Sequence, residues 1–275
     1  MSAKREILIQ PAKRFVADVI NNRYMLWCLV VRDIKSRYTG SFIGFFWAVI
    51  QPIVTVITYT FVFSYVMKVR LGPAAGSQNF VLWLLCGLSP WLFFSENLIR
   101  SIGVLNDNKN LITKSLFPSE LLPFSILLSN LVNHLIMGVI VIIAVLIYQK
   151  SITMLIFYFP VYLFFLSLAS LGISWLISSI NVYIRDIGQV ITVLINLWFF
   201  YTPIVYEPSM APAKLQFFFK LNPMYYVVDG YRLALLGLDH PQWKGLLVVA
   251  VTSVFVTILG ALVFKRLKLD FAELL

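Results

Sequence analysis

The sequence has little of what soluble enzymes and metal proteins depend on. Only 12% of its 275 residues are charged, and it contains two cysteines and two histidines. Soluble domains are about 25% charged, so this composition excludes an ordinary water-soluble globule. His134 and His240 are far apart, and Cys28 and Cys86 lie in apolar runs, so we expect no metal site.

Motifs of soluble catalysis are missing as well. The sequence has no G-x-x-x-x-G-K-[ST] loop, which cradles nucleotide phosphates, and no H-E-x-x-H or G-x-S-x-G motif. We therefore expect that the chain does not bind ATP in that manner and carries no cofactor. The first 15 residues are charged and lack an apolar core, which predicts that there is no removable signal peptide.

Apolar residues, in contrast, are abundant. The chain is 60% hydrophobic and 16% aromatic, with a mean hydropathy of +0.87. A helix needs about 20 mostly apolar residues to cross the hydrocarbon of a bilayer. The sequence therefore predicts an all-α integral membrane protein with six transmembrane helices, at about residues 40–67, 80–99, 121–148, 154–184, 187–206 and 246–264.

The positive charge is distributed unevenly between the predicted loops. The formal net charge is +10, which in a membrane protein reports topology and contact with anionic lipids rather than binding of nucleic acid. Of the 22 Lys and Arg residues, 15 lie before span one, after spans two and four, and after span six. This excess predicts that both termini are cytoplasmic.

Two segments are predicted to be neither a span nor a simple loop. Residues 20–38 place apolar side chains on one helical face, but the uncharged middle covers only about 12 Å at 1.5 Å per residue. This pattern favours an amphipathic helix in the cytoplasmic interface, and an ordinary soluble helix is the alternative. The apolar face of this helix consists of Ile20, Tyr24, Trp27, Val31, Ile34 and Tyr38.

The second segment, residues 207–245, contains four prolines between apolar pieces, which predicts short re-entrant helices in the outer leaflet.

Polar residues recur on one face of the first predicted span and on one face of the fifth. They are Gln51, Thr55, Thr58 and Tyr65 in the first span and Gln189, Thr192 and Asn196 in the fifth, followed by the aromatic residues Trp198, Phe199 and Tyr201. Hydrocarbon offers amides no partners, so both rows should face protein or water. Aromatic rings beside amides and hydroxyls suit a sugar. The alternatives are helix packing for the rows and an interfacial belt for the aromatics.

Spans two and three also contain a few polar or charged residues. Asn130, Asn133 and His134 share a face, which favours hydrogen bonds between helices, with a proton relay or a substrate site as the alternative. Glu96 precedes Arg100 by four residues, a spacing that predicts an ion pair within one helix.

Five motifs occur in order along the chain: RDIKSRY at residues 32–38, followed by Ser41, Gly44, Trp47 and Pro52; FPSELLP at 117–123; NVYIRD at 181–186; TPIVY at 202–206; and LNPMY at 221–225. Together they resemble the motifs of type-2 ABC transporter permeases, most closely the branch that exports polysaccharides such as O antigen, capsule and teichoic acid. The resemblance runs from about residue 20 to residue 268. It implies a multi-pass permease of the bacterial inner membrane for a lipid-linked glycan.

The resemblance further implies a homodimer with two separate ATPase subunits, which bind ATP and Mg²⁺. The family's interface helix corresponds to the segment with Trp27, Arg32, Asp33, Lys35 and Arg37, and the first and fifth helices line its channel. Its coupling helix, which contacts the ATPase, corresponds to the loop 104–118, with Asp107, Lys109, Leu111, Ile112 and Lys114. By itself that loop reads as a short polar helix with an apolar end, or as a solvated connector. The implied organisation is an N-terminal segment 1–38, a transmembrane domain 39–268 and a tail 269–275.

Two other functions remain open from the residues alone. One is a permease of the same fold for a drug or a small lipid. The other is an intramembrane glycan or lipid transferase, which would need a catalytic carboxylate or histidine near the membrane surface. Asp186, Glu207 and Asp229 are the candidate acids for that reaction.

Overall fold

A computed structural model describes residues 20–38, 44–68, 79–114, 117–150, 153–237 and 243–275. These residues form helices and turns, which confirms the all-α class predicted from the sequence. The helices are α1 (Arg23–Tyr38), α2 (Trp47–Thr60), α3 (Phe80–Ile102), α4 (Val104–Asp107), α5 (Lys109–Lys114), α6 (Leu121–Gln149), α7 (Tyr158–Tyr183), α8 (Ile187–Tyr201), α9 (Ala213–Leu221), α10 (Pro223–Leu236), α11 (Trp243–Leu267) and α12 (Phe271–Leu274).

Four of the predicted spans are helices long and apolar enough to cross a membrane. Within the described ranges these are Phe80–Ile102, Leu121–Gln149, Met154–Tyr183 and Trp243–Asp270. The first predicted span is a 3-10 turn (Gly44–Phe46), then α2, then a π-helical segment (Phe61–Val66); its residues 40–43 lie outside the described residues. Four membrane-length helices are therefore observed, and a crossing by all six segments stays a prediction.

The fifth predicted span is shorter than expected. Its helix α8 ends at Tyr201 rather than at residue 206, because Thr202 has an extended backbone with ψ 125°. Pro203 explains this end, since a proline disfavours the α conformation of the residue before it. At 1.5 Å per residue α8 extends about 22 Å, less than the roughly 30 Å of hydrocarbon.

Helix α3 forms the centre of the bundle. Asn79 caps its first turn by accepting a hydrogen bond from the amide of Val81 at 2.9 Å, and most of its side chains are buried. It packs against α6, α7 and α10. Helix α8, by contrast, exposes most of its residues, and Ala48 is the one buried side chain of α2, so these two helices lie at the outside of the single chain.

Helices α7 and α11 pack in unusually close contact. A side chain at Gly260 would collide with the backbone of Gly172, and one at Gly172 would collide with the backbone of Thr257. The Thr257 hydroxyl donates to the carbonyl of Leu168 at 2.7 Å across the same contact. Small residues therefore allow these two backbones to touch, as is common between membrane helices.

The segment after α8 contains the short helices expected from its prolines. Asn222 caps α10 by accepting a hydrogen bond from the amide of Met224 at 3.0 Å, and Pro223 occupies the first helical position. The same side chain accepts a hydrogen bond from the Trp198 indole at 2.9 Å and donates to Thr202 Oγ1 at 2.8 Å. The short helices are observed, and their depth in a membrane stays a prediction.

Candidate functional site

A cluster of four charged side chains joins α1 to the bundle. Asp33 Oδ1 lies 2.6 Å from Arg100 Nη2, and Asp33 Oδ2 lies 3.4 Å from Arg37 Nε. Arg37 also pairs with Glu96 at 2.9 Å. The two acids and two bases balance, so the cluster fixes the end of α1 onto α3 without excess charge.

Polar residues of α6 complete this cluster. Asn130 Oδ1 accepts a hydrogen bond from Arg100 at 2.8 Å and another from Arg37, and the Ser129 hydroxyl donates to Asp33. His134 Nε2 lies 3.0 Å from the Tyr231 hydroxyl of α10. The predicted hydrogen bonds between helices are thus confirmed for Asn130 and His134. The predicted pair between Glu96 and Arg100 was wrong, because α1 brings a closer partner to each of them.

A cavity of about 460 Å³ opens beside this cluster. Gln51 and Thr55 of α2 form one of its walls, and α3 and α6 form the others. Its polar lining residues also include Arg37, Glu96, Arg100, Asn130, Asn133 and His134. Amide, hydroxyl and charged groups can make further hydrogen bonds beyond those to their protein partners, and water or a polar ligand can supply them, so this cavity is a candidate for a hydrated space.

The polar row predicted on the first span falls into two parts in the structure. Gln51 and Thr55 line the cavity, whereas Thr58 and Tyr65 are exposed on the outside of the chain. The hydroxyls of Thr55 and Thr58 each donate at 2.9 Å to the carbonyl four residues earlier. Each hydroxyl can still accept a hydrogen bond from a ligand or from water.

The row predicted on the fifth span lies on the outer surface. Gln189, Thr192 and Asn196 are all exposed, and the Thr192 hydroxyl donates to the carbonyl of Gly188 at 2.8 Å. Asn196 and Gln189 therefore present their amides to whatever surrounds the single chain.

The aromatic residues at the end of α8 are mostly packed rather than exposed. The Trp198 ring lies edge-on to Phe94, 5.2 Å between centroids, and Phe199 is buried 5.6 Å from the Trp91 ring. The Tyr201 hydroxyl donates to the carbonyl of Phe218. A role of these three residues in a substrate path stays a prediction, and in the single chain they connect α8 to α3 and α9.

Helix α1 places its predicted residues on two sides. Trp27 is 65% exposed, and Lys35 is exposed as well. Asp33 and Arg37 face the bundle in the charge cluster, and Arg32 donates to Asn108 Oδ1 at 2.6 Å. One side of α1 is therefore anchored to the bundle, and the side with Trp27 is open, as an interface helix requires.

The loop 104–118 forms the two short helices α4 and α5. Asp107 and Lys109 are exposed, whereas Leu111 and Ile112 pack inward against the core. The side chain of Lys114 lies outside the described residues. The loop is therefore structured from residue 104 to residue 114, and its exposed face is polar.

Arg232 is a buried functional candidate that the sequence analysis did not identify; it is one of the seven Lys and Arg residues outside the predicted cytoplasmic segments. Its guanidinium carbon lies 3.3 Å from the centroid of a Trp83 ring, and Nη2 donates to the carbonyl of Ile204 at 2.9 Å. The pKa of the nearby Asp229 is raised above its usual value by burial, and the guanidinium of Arg232 offsets part of this rise. A cation inside the apolar stretch 224–236 was the available signal, since such groups are buried only with partners.

The three acids suggested for a transferase do not form one group. Asp186 lies just before α8 and Glu207 lies beyond its other end. Glu207 and Asp229 are both close enough to Arg232 to interact with its charge. Among the described residues no group of three or more His, Cys, Asp or Glu side chains could hold a metal ion.

Comparison with known proteins gives consistent matches over most of the chain. Residues 24–236 match the family model described as ABC-2 type transporter. The chain is 29% identical over 262 residues to the O-antigen export system permease protein RfbA of Myxococcus xanthus, covering 94% of this chain and 98% of that protein. It is 30% identical over 263 residues to RfbA of Klebsiella pneumoniae, covering 93% and 97%. It is 23% identical over 217 residues to the polysialic acid transport protein KpsM of Escherichia coli, covering 76% and 80%.

Proposed function

The chain belongs to the ABC-2 type transporter family, and we propose that it is the membrane-spanning permease subunit of an ATP-driven exporter of a lipid-linked polysaccharide. The observation that carries this proposal is the likeness to O-antigen export permeases over 94% and 93% of the chain. The weaker likeness to a polysialic acid transport protein also points to a glycan. The proposed substrate is therefore a polysaccharide of the O-antigen, capsule or teichoic acid type.

A separate ABC nucleotide-binding subunit supplies the energy in this proposal. The sequence of the permease contains no phosphate-binding loop, so ATP and Mg²⁺ are assigned to that partner. The polar outer face of α4 and α5 is the proposed docking surface. Because Leu111 and Ile112 pack inward, the contact is made by exposed residues such as Lys109, Asn110 and Thr113.

A second copy of the chain completes the channel in this proposal. Helices α2 and α8 expose large apolar side chains, among them Ile57 at 61% and Leu197 at 63%. The rings of Tyr59 and Phe199 lie 6.0 Å apart and join the two helices at one edge of the molecule. Two copies paired through this edge would enclose both polar rows and keep their amides out of lipid.

The membrane placement follows from the same features. All six apolar segments cross the inner membrane with both termini in the cytoplasm, as the charge asymmetry favours. Helix α1 lies in the cytoplasmic interface, where the exposed ring of Trp27 reaches headgroup level. The short α9 and α10 re-enter the outer leaflet.

Deletion of the gene in its own organism tests the proposal. Without the permease, the lipid-linked polysaccharide should accumulate on the cytoplasmic side and disappear from the cell surface. Wild-type permease supplied from a plasmid should restore the surface polymer. Normal surface polysaccharide in the deletion strain, with a defect only in drug resistance or in the distribution of a small lipid, would contradict the proposal and favour the other permease class.

A further inference from the structure

The end of the chain folds back onto the bundle. After α11 the chain forms a 3-10 turn (Lys268–Asp270) and the short helix α12. Phe271 is only 1% exposed, and its ring lies 5.5 Å from that of Phe264. The segment predicted as a separate tail is therefore anchored by a buried aromatic side chain. We call residues 268–275 the C-terminal brace.

The brace contacts the loop 104–118 and its surroundings. Helix α12 packs against α5 of that loop and against the end of α7. Lys268 Nζ lies 2.5 Å from Glu120 Oε2, just after the loop. The Tyr183 hydroxyl at the end of α7 donates to Asp270 Oδ2 at 2.8 Å. Packing, an ion pair and a hydrogen bond thus fix the brace beside the loop.

The start of the loop is held by α1. Arg32 donates to Asn108 Oδ1 at 2.6 Å, and Asn108 Nδ2 donates to the carbonyl of Val104 at 2.9 Å. The loop is therefore held by α1 at Asn108 and by the brace at α5. Its exposed residues Lys109, Asn110 and Thr113 follow Asn108 along the chain and belong to α5.

We propose that the C-terminal brace keeps the loop 104–118 attached to the bundle, so that a movement of the ATPase partner is passed through the loop to the membrane helices. Lys268 and Phe271 are then positioning residues for the coupling of ATP hydrolysis to transport. The inference rests on the proposed function. A docking loop transmits a displacement to the membrane helices only if it is firmly connected to them. The brace supplies that connection, because it joins α5 to α7 and α11 at once.

Charge reversal of the ion pair between Lys268 and Glu120 tests the inference by its effect on coupled transport. Lys268→Glu, Glu120→Lys and the double variant are each purified with the ATPase, and glycan moved per ATP hydrolysed is measured in vesicles. Each single reversal should lower this ratio by about two- to fivefold, the effect expected for a partly exposed pair, and the double variant should restore most of it. Lys265→Glu is the matched control, because Lys265 is exposed on α11 and makes no ion pair among the described residues.

A spin label tests the brace without any transport. Cys28 is exposed and Cys86 buried, so a label is placed at Thr113→Cys in a Cys28→Ser background. Phe271→Ala should make this label more mobile, whereas Lys265→Glu should not. An unchanged label in Phe271→Ala, or unchanged coupling in both single reversals, overturns the inference. Failure of the wild-type complex to move glycan would instead count against the proposed function, and the label still decides the role of the brace.

Discussion

Asp33 is the residue on which the attachment of α1 depends most. Its two carboxylate oxygens contact Arg100 and Arg37, and the Ser129 hydroxyl also donates to it. A single carboxylate thereby joins α1, α3 and α6. Because the group is largely removed from water, loss of its charge leaves two guanidinium groups short of a partner.

Asp33→Asn should therefore lower the free energy of unfolding by about 1–3 kcal/mol, the usual cost of leaving buried polar partners unsatisfied. The purified protein in detergent would be followed by thermal or denaturant unfolding. Asp186→Asn is the control, since Asp186 is exposed and makes no ion pair among the described residues. Equal stability of the two variants would show that the charge cluster does not anchor α1.

Single residues were the part of the structure that the sequence predicted least well. The spacing of Glu96 and Arg100 predicted a pair within one helix, but Glu96 pairs with Arg37, 59 positions away. Helical spacing reports only neighbours on the same helix, and the docking of α1 depends on contacts between distant segments. The apolar sequence around Arg232 indicates that this residue is buried, but its contact with the Trp83 ring could not be predicted for the same reason.

At the scale of elements, the contact between α7 and α11 depends on the absence of side chains. Gly260→Ala would place a methyl group against the carbonyl of Gly172. Overpacking of this kind costs about 1–3 kcal/mol, so the variant should unfold at a clearly lower temperature. Gly138→Ala in α6 is the matched control, because its new methyl group would meet only the Phe159 ring at an ordinary 3.4 Å. Similar unfolding temperatures would contradict the close contact.

The two faces of α5 should respond differently to substitution. Asn110→Trp adds bulk to the exposed face and should weaken binding of the ATPase by about tenfold or more, as expected when a central contact is blocked, without loss of stability. Leu111→Asp buries a charge against the core and should instead lower the yield and the stability of the permease. Binding is measured with purified subunits. An Asn110→Trp variant with normal affinity would place the docking surface elsewhere.

Elements were predicted better than residues because hydrophobic length is a local signal. The third span was expected at residues 121–148 and is the helix Leu121–Gln149. The fifth was overestimated because its apolar composition continues past Pro203, where the helix has already ended. Packing at the end of α8 also escaped prediction, since the sequence indicated either substrate contacts or an interfacial belt for Trp198 and Phe199, and neither places them against α3.

At the scale of the whole molecule, the polar rows should become accessible to water when two copies enclose a channel. Single cysteines at Gln51, Thr55, Gln189, Thr192 and Asn196 should react with small water-soluble thiol reagents during turnover. Cysteines at Ile53 and Leu194 should not, because 100° per residue turns them toward lipid or protein. The reaction rate with and without ATP is measured in the assembled exporter, after Cys28→Ser removes the exposed native cysteine. Unreactive cysteines along both rows would assign the rows to helix packing.

Transport by the assembled exporter tests the central claim most directly. The permease is purified with its ABC ATPase and placed in vesicles that contain the lipid-linked polysaccharide, and polymer that crosses the membrane is measured by its protection from a glycosidase. We predict saturable, ATP-dependent movement by the complex, and none by the permease alone or with an ATPase unable to hydrolyse ATP. Movement of only a drug or a small lipid, with the polysaccharide left where it started, would contradict the account.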